Sequence, residues 1–530
     1  MPDWILLLPI LFPLFGAFVL APIAPRIHAR VRVGLPIVFL GTEIVAILVN
    51  IVPGTHRLTL SSWDFGFFSI ALQVDGIALL LLLTMIVPLV ALRLIAPQHS
   101  FFDATSLLVL AAAMLLTSAG NLVTIYIAWA CLDLALFLWR IARNIEPGTA
   151  PRGLLTGQLA GLILLAGAIL LATGQPAFGA ALIALAFWTR LGLFPFHYLL
   201  PTRGADPYDL WFARGIPLIA AANLWLHWSA LRADLPFVLI GVLAAVAGVV
   251  AVIWIWREET PARAAIVAVS CALALIPLAI TFGGSASVAL ALWLTLTIAI
   301  ALALFEIALR WRAENRNRWQ RLIWFAALLS LAGIPLTPAF LGRVGLYVAL
   351  WETGNALLLL IAGAATLVLL MPLWNFGLAL KGSELREPTR VEYAGLVLIS
   401  LAGAALAFLP LLIAHALAPD VGASAERALD LVVRTNDALG VAIGVVTLVI
   451  PIVGSFFART LVRDLRPSST AFVVRVARLI DLEWLERILT AIGFQMGSVA
   501  RNLSTIAEEN PTVWILFAAL WIAIFIVIAR

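Results

Sequence analysis

Apolar runs of bilayer-crossing length follow one another along almost the whole chain, separated by short polar stretches. Taking a run of about 17–25 apolar residues as one transmembrane helix, the pattern predicts spans near residues 4–24, 33–52, 75–95, 104–120, 121–141, 153–173, 178–200, 212–230, 235–256, 264–281, 286–308, 322–350, 355–380, 393–417, 437–458 and 513–529. Two of these runs are interrupted by proline in mid-span, and each carries one arginine beside the interruption. The first reads Trp188-Thr189-Arg190-Leu191-Gly192-Leu193-Phe194-Pro195-Phe196-His197. The second reads Gly333-Ile334-Pro335-Leu336-Thr337-Pro338-Ala339-Phe340-Leu341-Gly342-Arg343. A charge at the bilayer centre costs roughly 2.5–3.5 kcal/mol on insertion scales, so it marks a functional site by default. Broken helices at corresponding places in two halves of a chain point to the site of a repeat-built transporter. The pattern therefore predicts a protein that moves ions across a membrane, or helps to do so.

Composition agrees: of 530 residues 63% are hydrophobic and 12% charged, with a mean hydropathy of +1.09. A soluble chain of this length exposes far more charge. The two cysteines, Cys131 and Cys271, both lie in apolar runs, and no Cys-x-x-Cys or His/Cys cluster supports a disulfide or a bound metal. The first apolar run begins at Trp4 without a basic segment before it and reads as a retained span rather than a signal peptide. A pI near 9.7 does not imply nucleic acid, because the basic residues are spread through the loops. They mark topology instead. With the spans above, 26 of the 33 Lys and Arg residues fall on one side, among them Arg93, Arg140, Arg143, Arg214 and the run Arg310 to Arg321. That side is cytoplasmic by the positive-inside rule, which places both termini outside. Reading 322–350 as a single broken helix, rather than two spans, keeps Lys381, Arg386 and Arg390 on the same side. The largest loop, 459–512, mixes charged with apolar positions in helical period. It predicts an amphipathic helix that lies on the cytoplasmic interface or packs on neighbouring subunits.

Four motifs in chain order carry a resemblance. They are Val74-Asp75-Gly76, then Gly120-Asn121-Leu122 with Tyr126-Ile127-Ala128-Trp129, then Arg190 through Phe194-Pro195-Phe196-His197-Tyr198-Leu199-Leu200-Pro201, and finally Leu331-Ala332-Gly333-Ile334-Pro335 through Phe340-Leu341-Gly342-Arg343. With these, the chain resembles the antiporter-like, proton-translocating membrane subunits of respiratory complex I (NADH-quinone oxidoreductase), of Mrp-type antiporters and of membrane-bound hydrogenases. The resemblance implies an all-α polytopic bundle of about 14–16 spans. It also implies two inverted five-helix repeats, with the seventh and twelfth spans broken at Pro195 and at Gly333, Pro335 and Pro338. The chain then divides into N-terminal helices (1–103), a first repeat (104–230), a second repeat (235–380), C-terminal helices (393–458), the amphipathic segment (459–512) and a terminal span (513–530). The family's proton path runs through buried Glu and Lys joined by water, and here several of those positions differ. The fifth-span glutamate falls on Ala130, the seventh-span lysine is Arg190, and the twelfth-span lysine or glutamate is Arg343. The eighth-span lysine falls near Ile219 or Ala220, and the tenth-span lysine near Ala262, beside Arg263.

Lysine relays protons because burial lowers its pKa, whereas arginine keeps its proton. Arg190 and Arg343 are therefore expected to act as fixed charges that hold a carboxylate, organise water or bind an anion. Asp133, one helical turn beyond Ala130, is expected to pair with Arg190 and to replace the missing glutamate, the alternative being a structural ion pair in a closed channel. His197 and His227 are further candidates for proton exchange. Asp75 reads as a helix cap, Glu306 with Arg310 as an ion pair at the interface, Glu43 as a buried acid of no recognised motif, and the tryptophans as interface belts and packing. No nucleotide- or cofactor-binding pattern occurs, so no cofactor and no redox catalysis are expected in this chain. The function expected is ion translocation, of protons or monovalent cations, in the inner cell membrane. Other membrane subunits and lipid are the expected partners, coupled to quinone-linked redox chemistry in those other subunits. The alternatives are a transport-inactive scaffold, or a membrane partner in uptake of an ion or inorganic carbon.

Overall fold

The computed structural model describes residues 3–23, 38–47, 56–62, 69–95, 104–143, 149–194, 196, 210–227, 236–256, 258, 260–313, 317–333, 337–379, 389–401 and 419–433. All of these fall in the first of two units, Met1–Ala477; the second is Arg478–Arg530. Pro195, His197, Pro335, the spans expected at 437–458 and 513–529 and the amphipathic segment 459–512 lie outside the described residues.

A helix satisfies every backbone polar group within its own segment, which is why apolar runs in a bilayer become helices. The runs here do so in order. They are α1 (Leu8–Ile23), α2 (Val38–Ile47), α3 (Gly76–Ile95), α4 (Ala104–Thr117), α5 (Leu122–Ala142), α6 (Thr149–Ala172) and α7 (Pro176–Leu191). A π-helical turn, Trp211–Gly215, leads into α8 (Ile216–His227), followed by α9 (Phe237–Ile255), α10 (Pro261–Leu273) and α11 (Leu275–Phe282). Then come α12 (Ser287–Ala313), α13 (Asn317–Ala332), α14 (Pro338–Glu352), α15 (Ala356–Ala379), α16 (390–401) and α17 (Pro419–Val433). Seven helical stretches among the described residues are long and apolar enough to cross a membrane, and further apolar helices are shorter. The protein is a multi-pass membrane protein.

α12 is the hub, packed against α3, α8, α10, α11, α13, α14 and α17. Its membrane window is 89% buried, whereas that of α6 is 22% buried and leaves Leu155, Leu159, Leu162 and Ile169 exposed. An apolar face this open on a helix this hydrophobic suits lipid or a neighbouring subunit. Of the tryptophans read by sequence as interface belts and packing, Trp129, Trp139, Trp188, Trp211, Trp293, Trp311 and Trp324 do the packing, all fully buried.

One element was not expected. Residues His56–Ser62 (β1) and Ser69–Val74 (β2) pair antiparallel ahead of α3, with an irregularity between Thr59 and Ser61. Gln73 N donates to Ser118 O at 2.7 Å and Gly120 N to Ala71 O at 2.8 Å, which ties β2 to the turn between α4 and α5. Asn121 caps α5 through Thr124 N, at 2.8 Å, and Thr124 Oγ1 accepts from Ala71 N at 2.9 Å. The motif Gly120-Asn121-Leu122 is thus a junction of three elements.

Local chemistry fixes where the helices beside the prolines stop. α7 ends on Gly192, which takes the left-handed conformation (φ 63°) that a Cβ disfavours, and Trp188 Nε1 donates to Phe194 O at 2.9 Å. α13 ends on Gly333 (φ 80°), and α14 starts with Pro338 in its first turn after Thr337 in extended conformation.

Candidate functional site

Asp133 lies twelve residues into α5, and Arg190 is the penultimate residue of α7. The two meet in a buried ion pair, Arg190 Nη1 donating to Asp133 Oδ1, with side chains 7% and 4% exposed. The Arg190 guanidinium also stacks on Trp129, one turn earlier on α5, 5.0 Å from the ring centroid. Arg190 Nε and Nη2 and Asp133 Oδ2 have no hydrogen-bond partner among the described residues.

α6 makes room for this pair. Gly153, Gly157 and Gly161 recur at every fourth position on the face it turns to α5, and Tyr126, Asp133 and Arg140 recur at every seventh position of α5. A Cβ on Gly153 would collide with Arg140 Nη1, one on Gly157 with Asp133 Oδ2, and one on Gly161 would lie 3.3 Å from Tyr126 Cε2. Small residues at this spacing let membrane helices approach closely; here they admit two charged side chains into the seam.

The pair opens on a cavity of about 70 Å³ lined by Trp129, Asp133, Arg140, Thr156, Arg190 and Arg214, with small residues of α6 around them. Arg214 arrives on the π-helical turn before α8, an irregularity frequent at functional sites. It is buried, and its Nη2 donates only to Ser270 Oγ, at 3.4 Å. The turn is anchored from behind: Trp211 N donates to Glu306 Oε2 at 2.6 Å, and Glu306 also accepts from Arg310 one turn along α12. That Glu306–Arg310 pair was expected at the interface, yet both residues are buried, and Arg310 Nη1 reaches Leu92 O at 3.4 Å.

The other candidates stand apart. His227 ends α8, with Nε2 3.2 Å from Asp75 Oδ2 and Nδ1 3.4 Å from Asn223 O. Asp75 caps α3 as expected, accepting from Ala78 N at 2.9 Å, but it also faces this histidine. Asn223 Nδ2 donates to Thr117 O at 3.0 Å. Between this group and Arg214, residues Leu218, Ile219, Ala220, Ala221 and Ala222 are all buried and apolar. Arg343 faces a different cavity, of about 20 Å³, whose walls are apolar except for Cys271 and Thr366. It is 4% exposed, and no hydrogen bond or ion pair reaches it among the described residues. Gly333 packs against its stem, a Cβ there falling 3.2 Å from Arg343 Cδ. Glu43 on α2 is buried, and neither carboxylate oxygen has a partner among the described residues.

The structure therefore brings Asp133 and Arg190 together, sets His227 against Asp75, and gives Arg343 no hydrogen bond or ion pair among the described residues. Arg190 and Arg343 do not share a cavity, since each lines its own. Arg93, Arg140, Arg214 and Arg310, counted by sequence as cytoplasmic loop charges, are buried in the bundle. Sequence reasoning missed the glycine repeat on α6, a signal that points at the same cavity as Asp133 and Arg190.

No protein-family profile matches the sequence, and no curated protein does. Among solved structures, a chain of the Mrp complex from Dietzia sp. DQ12-45-1b is similar over 93% of this protein, at 19% identity and a TM-score of 0.73. This protein spans 60% of that longer chain. A chain of respiratory complex I from Thermus thermophilus is similar over 80% of this protein and 99% of its own length, at 17% identity and a TM-score of 0.67. A chain of an archaeal membrane-bound sulfane sulfur reductase is similar over 76% of each chain, at 15% identity and the same TM-score of 0.67. At such identities the likeness establishes a shared fold, that of membrane chains in multisubunit complexes.

Proposed function

We propose that this chain is an antiporter-like membrane subunit of a multisubunit complex, and that it translocates protons or monovalent cations coupled to quinone-linked redox chemistry in its partners. Residues 104–230 and 235–380 act as inverted repeats, and both termini face away from the cytoplasm. The observation that carries this reading is the buried Asp133–Arg190 pair beside a cavity with room for water. A cavity of about 10–15 Å³ already admits one water molecule. Arginine keeps its proton, so Asp133 is the member of the pair that exchanges one. A proton arriving by water at Oδ2, the oxygen Arg190 leaves unpaired, neutralises the carboxylate and loosens its hold on the guanidinium. Its departure restores the pair. Arg190 thus sets the resting charge, and Asp133 carries the cycle.

A second reading, a transport-inactive scaffold, draws support from Arg343, which sits in an apolar pocket away from Asp133. Proton flux in vesicles holding the intact complex decides between them. At equal assembled amounts, Asp133→Asn should abolish flux. Unchanged flux would remove Asp133 from the mechanism and favour the scaffold.

A further inference from the structure

Among the described residues, the cavity between α5, α6, α7 and α8 is short of negative charge. Three guanidinium groups line it, from Arg140, Arg190 and Arg214, and Asp133 is the one acidic side chain among its lining residues. Asp133 answers Arg190. Arg140 and Arg214, each 8% exposed, have no carboxylate in hydrogen-bond contact among the described residues. Arg214 has only the long bond to the neutral Ser270 hydroxyl, and Arg140 Nε and Arg190 Nε and Nη2 have no partner there. A buried charge without a partner is costly, and arginine cannot escape the cost by losing its proton. Among the described residues the cavity lining thus carries two more positive than negative charges, and a bound anion would offset one of them.

We infer that this cavity binds a small monovalent oxyanion between Arg140, Arg190 and Arg214. The guanidinium fork matches the planar, two-oxygen edge of a carboxylate-like anion and donates two parallel hydrogen bonds to it. The cavity, about 70 Å³, takes an anion of three or four heavy atoms with a water or two. Asp133 on the same wall selects against dianions by repulsion. Gly153 and Gly157 keep the space open, since a side chain at either would fall on Arg140 or Asp133. The inference does not depend on Asp133 carrying protons, because the bound anion offsets one of the two excess charges whether or not it is transported.

The test is anion-specific stabilisation of the assembled complex in detergent, comparing sodium formate and sodium nitrate with sodium chloride and sodium sulfate at equal ionic strength. The native complex should show a saturable rise in thermal midpoint with formate or nitrate that chloride and sulfate do not reproduce. Each charge-assisted contact is strong enough that Arg214→Gln or Arg140→Gln should raise the half-saturating concentration about tenfold or more. Absence of an oxyanion-specific shift in the native complex, or unchanged half-saturation in both variants, would overturn the inference. Should the glutamine variants fail to assemble, Arg214→Lys, which keeps the charge but not the fork, should lose the preference for formate and nitrate over chloride. A retained preference overturns it equally. Asp133→Asn should tighten formate binding by removing the repelling charge, so the anion site and the proton path can fail independently.

Discussion

At the scale of single residues the ion pair is poised by what surrounds it. Removing one member of a buried pair strands the other, at a cost of about 3–5 kcal/mol. Arg190→Gln should therefore lower the thermal midpoint of the purified complex markedly, while Asp133→Asn combined with Arg190→Gln recovers part of the loss. Additive effects of the two substitutions would mean that the residues do not interact in the folded protein. Gly157 gives an independent handle, since its missing side chain is what leaves space for Asp133 Oδ2. Gly157→Ala should push the carboxylate from Arg190 and reduce both stability and flux. Gly161→Ala, one turn along, meets the edge of the Tyr126 ring, at 3.3 Å from Cε2 and 3.5 Å from Cδ2, and should be milder. Equal effects at both positions would show that α6 needs its glycines for backbone approach alone and not to house the carboxylate.

At the scale of elements, the helix ends beside the prolines separate local from tertiary causes. Gly333 and Gly354 both adopt left-handed backbone, with φ of 80° and 75°. An alanine in that conformation costs about 1–2 kcal/mol wherever it stands. A Cβ at Gly354 meets nothing within 4 Å, whereas one at Gly333 presses on Arg343 Cδ and on the backbone of Ala339. Gly333→Ala should thus be the more destabilising in thermal unfolding, and it alone should alter transport; identical effects would mean that the Arg343 stem yields freely. Most spans were legible in the sequence, because an apolar run in a bilayer has one way to satisfy its peptide groups. The β1–β2 hairpin was not. Segments such as His56–Ser62 are short and mixed, and what holds β2 is a turn between α4 and α5 far along the chain. The buried arginines were misplaced for a related reason. The positive-inside rule reads an arginine near a span end as a loop charge, whereas Arg140 and Arg214 sit at helix ends that the bundle covers. Asp133 with Arg190 could be paired in advance because both were read at similar depth in the fifth and seventh spans. Asp75 with His227 could not, since nothing local links the start of α3 to the end of α8.

At the scale of the whole molecule, the two motif arginines occupy unequal environments, and that inequality is measurable. Arg190 has a carboxylate, an aromatic face and a cavity with polar walls. Arg343 is buried against apolar walls, with Nε unpartnered among the described residues and a cavity of about 20 Å³ before it, room for about one water. Replacing a buried charge that lacks a partner with an apolar side chain of similar volume is neutral or stabilising, whereas doing so to one member of an established pair strands the other. Arg343→Met should accordingly hold or raise the thermal midpoint of the assembled complex, and Arg190→Met should lower it. The sign of the difference is the readout, so a general loss of packing cannot imitate it. If the second half of the molecule transports in step with the first, Arg343→Met should also reduce proton flux despite the gain in stability, because a charge retained at an energetic cost is retained for its field. Flux that survives Arg343→Met and disappears in Asp133→Asn would confine transport to the α4–α8 half. A fall in stability at Arg343→Met would instead reveal a counter-charge for Arg343 supplied by a partner subunit, and would place that half of the chain at an interface.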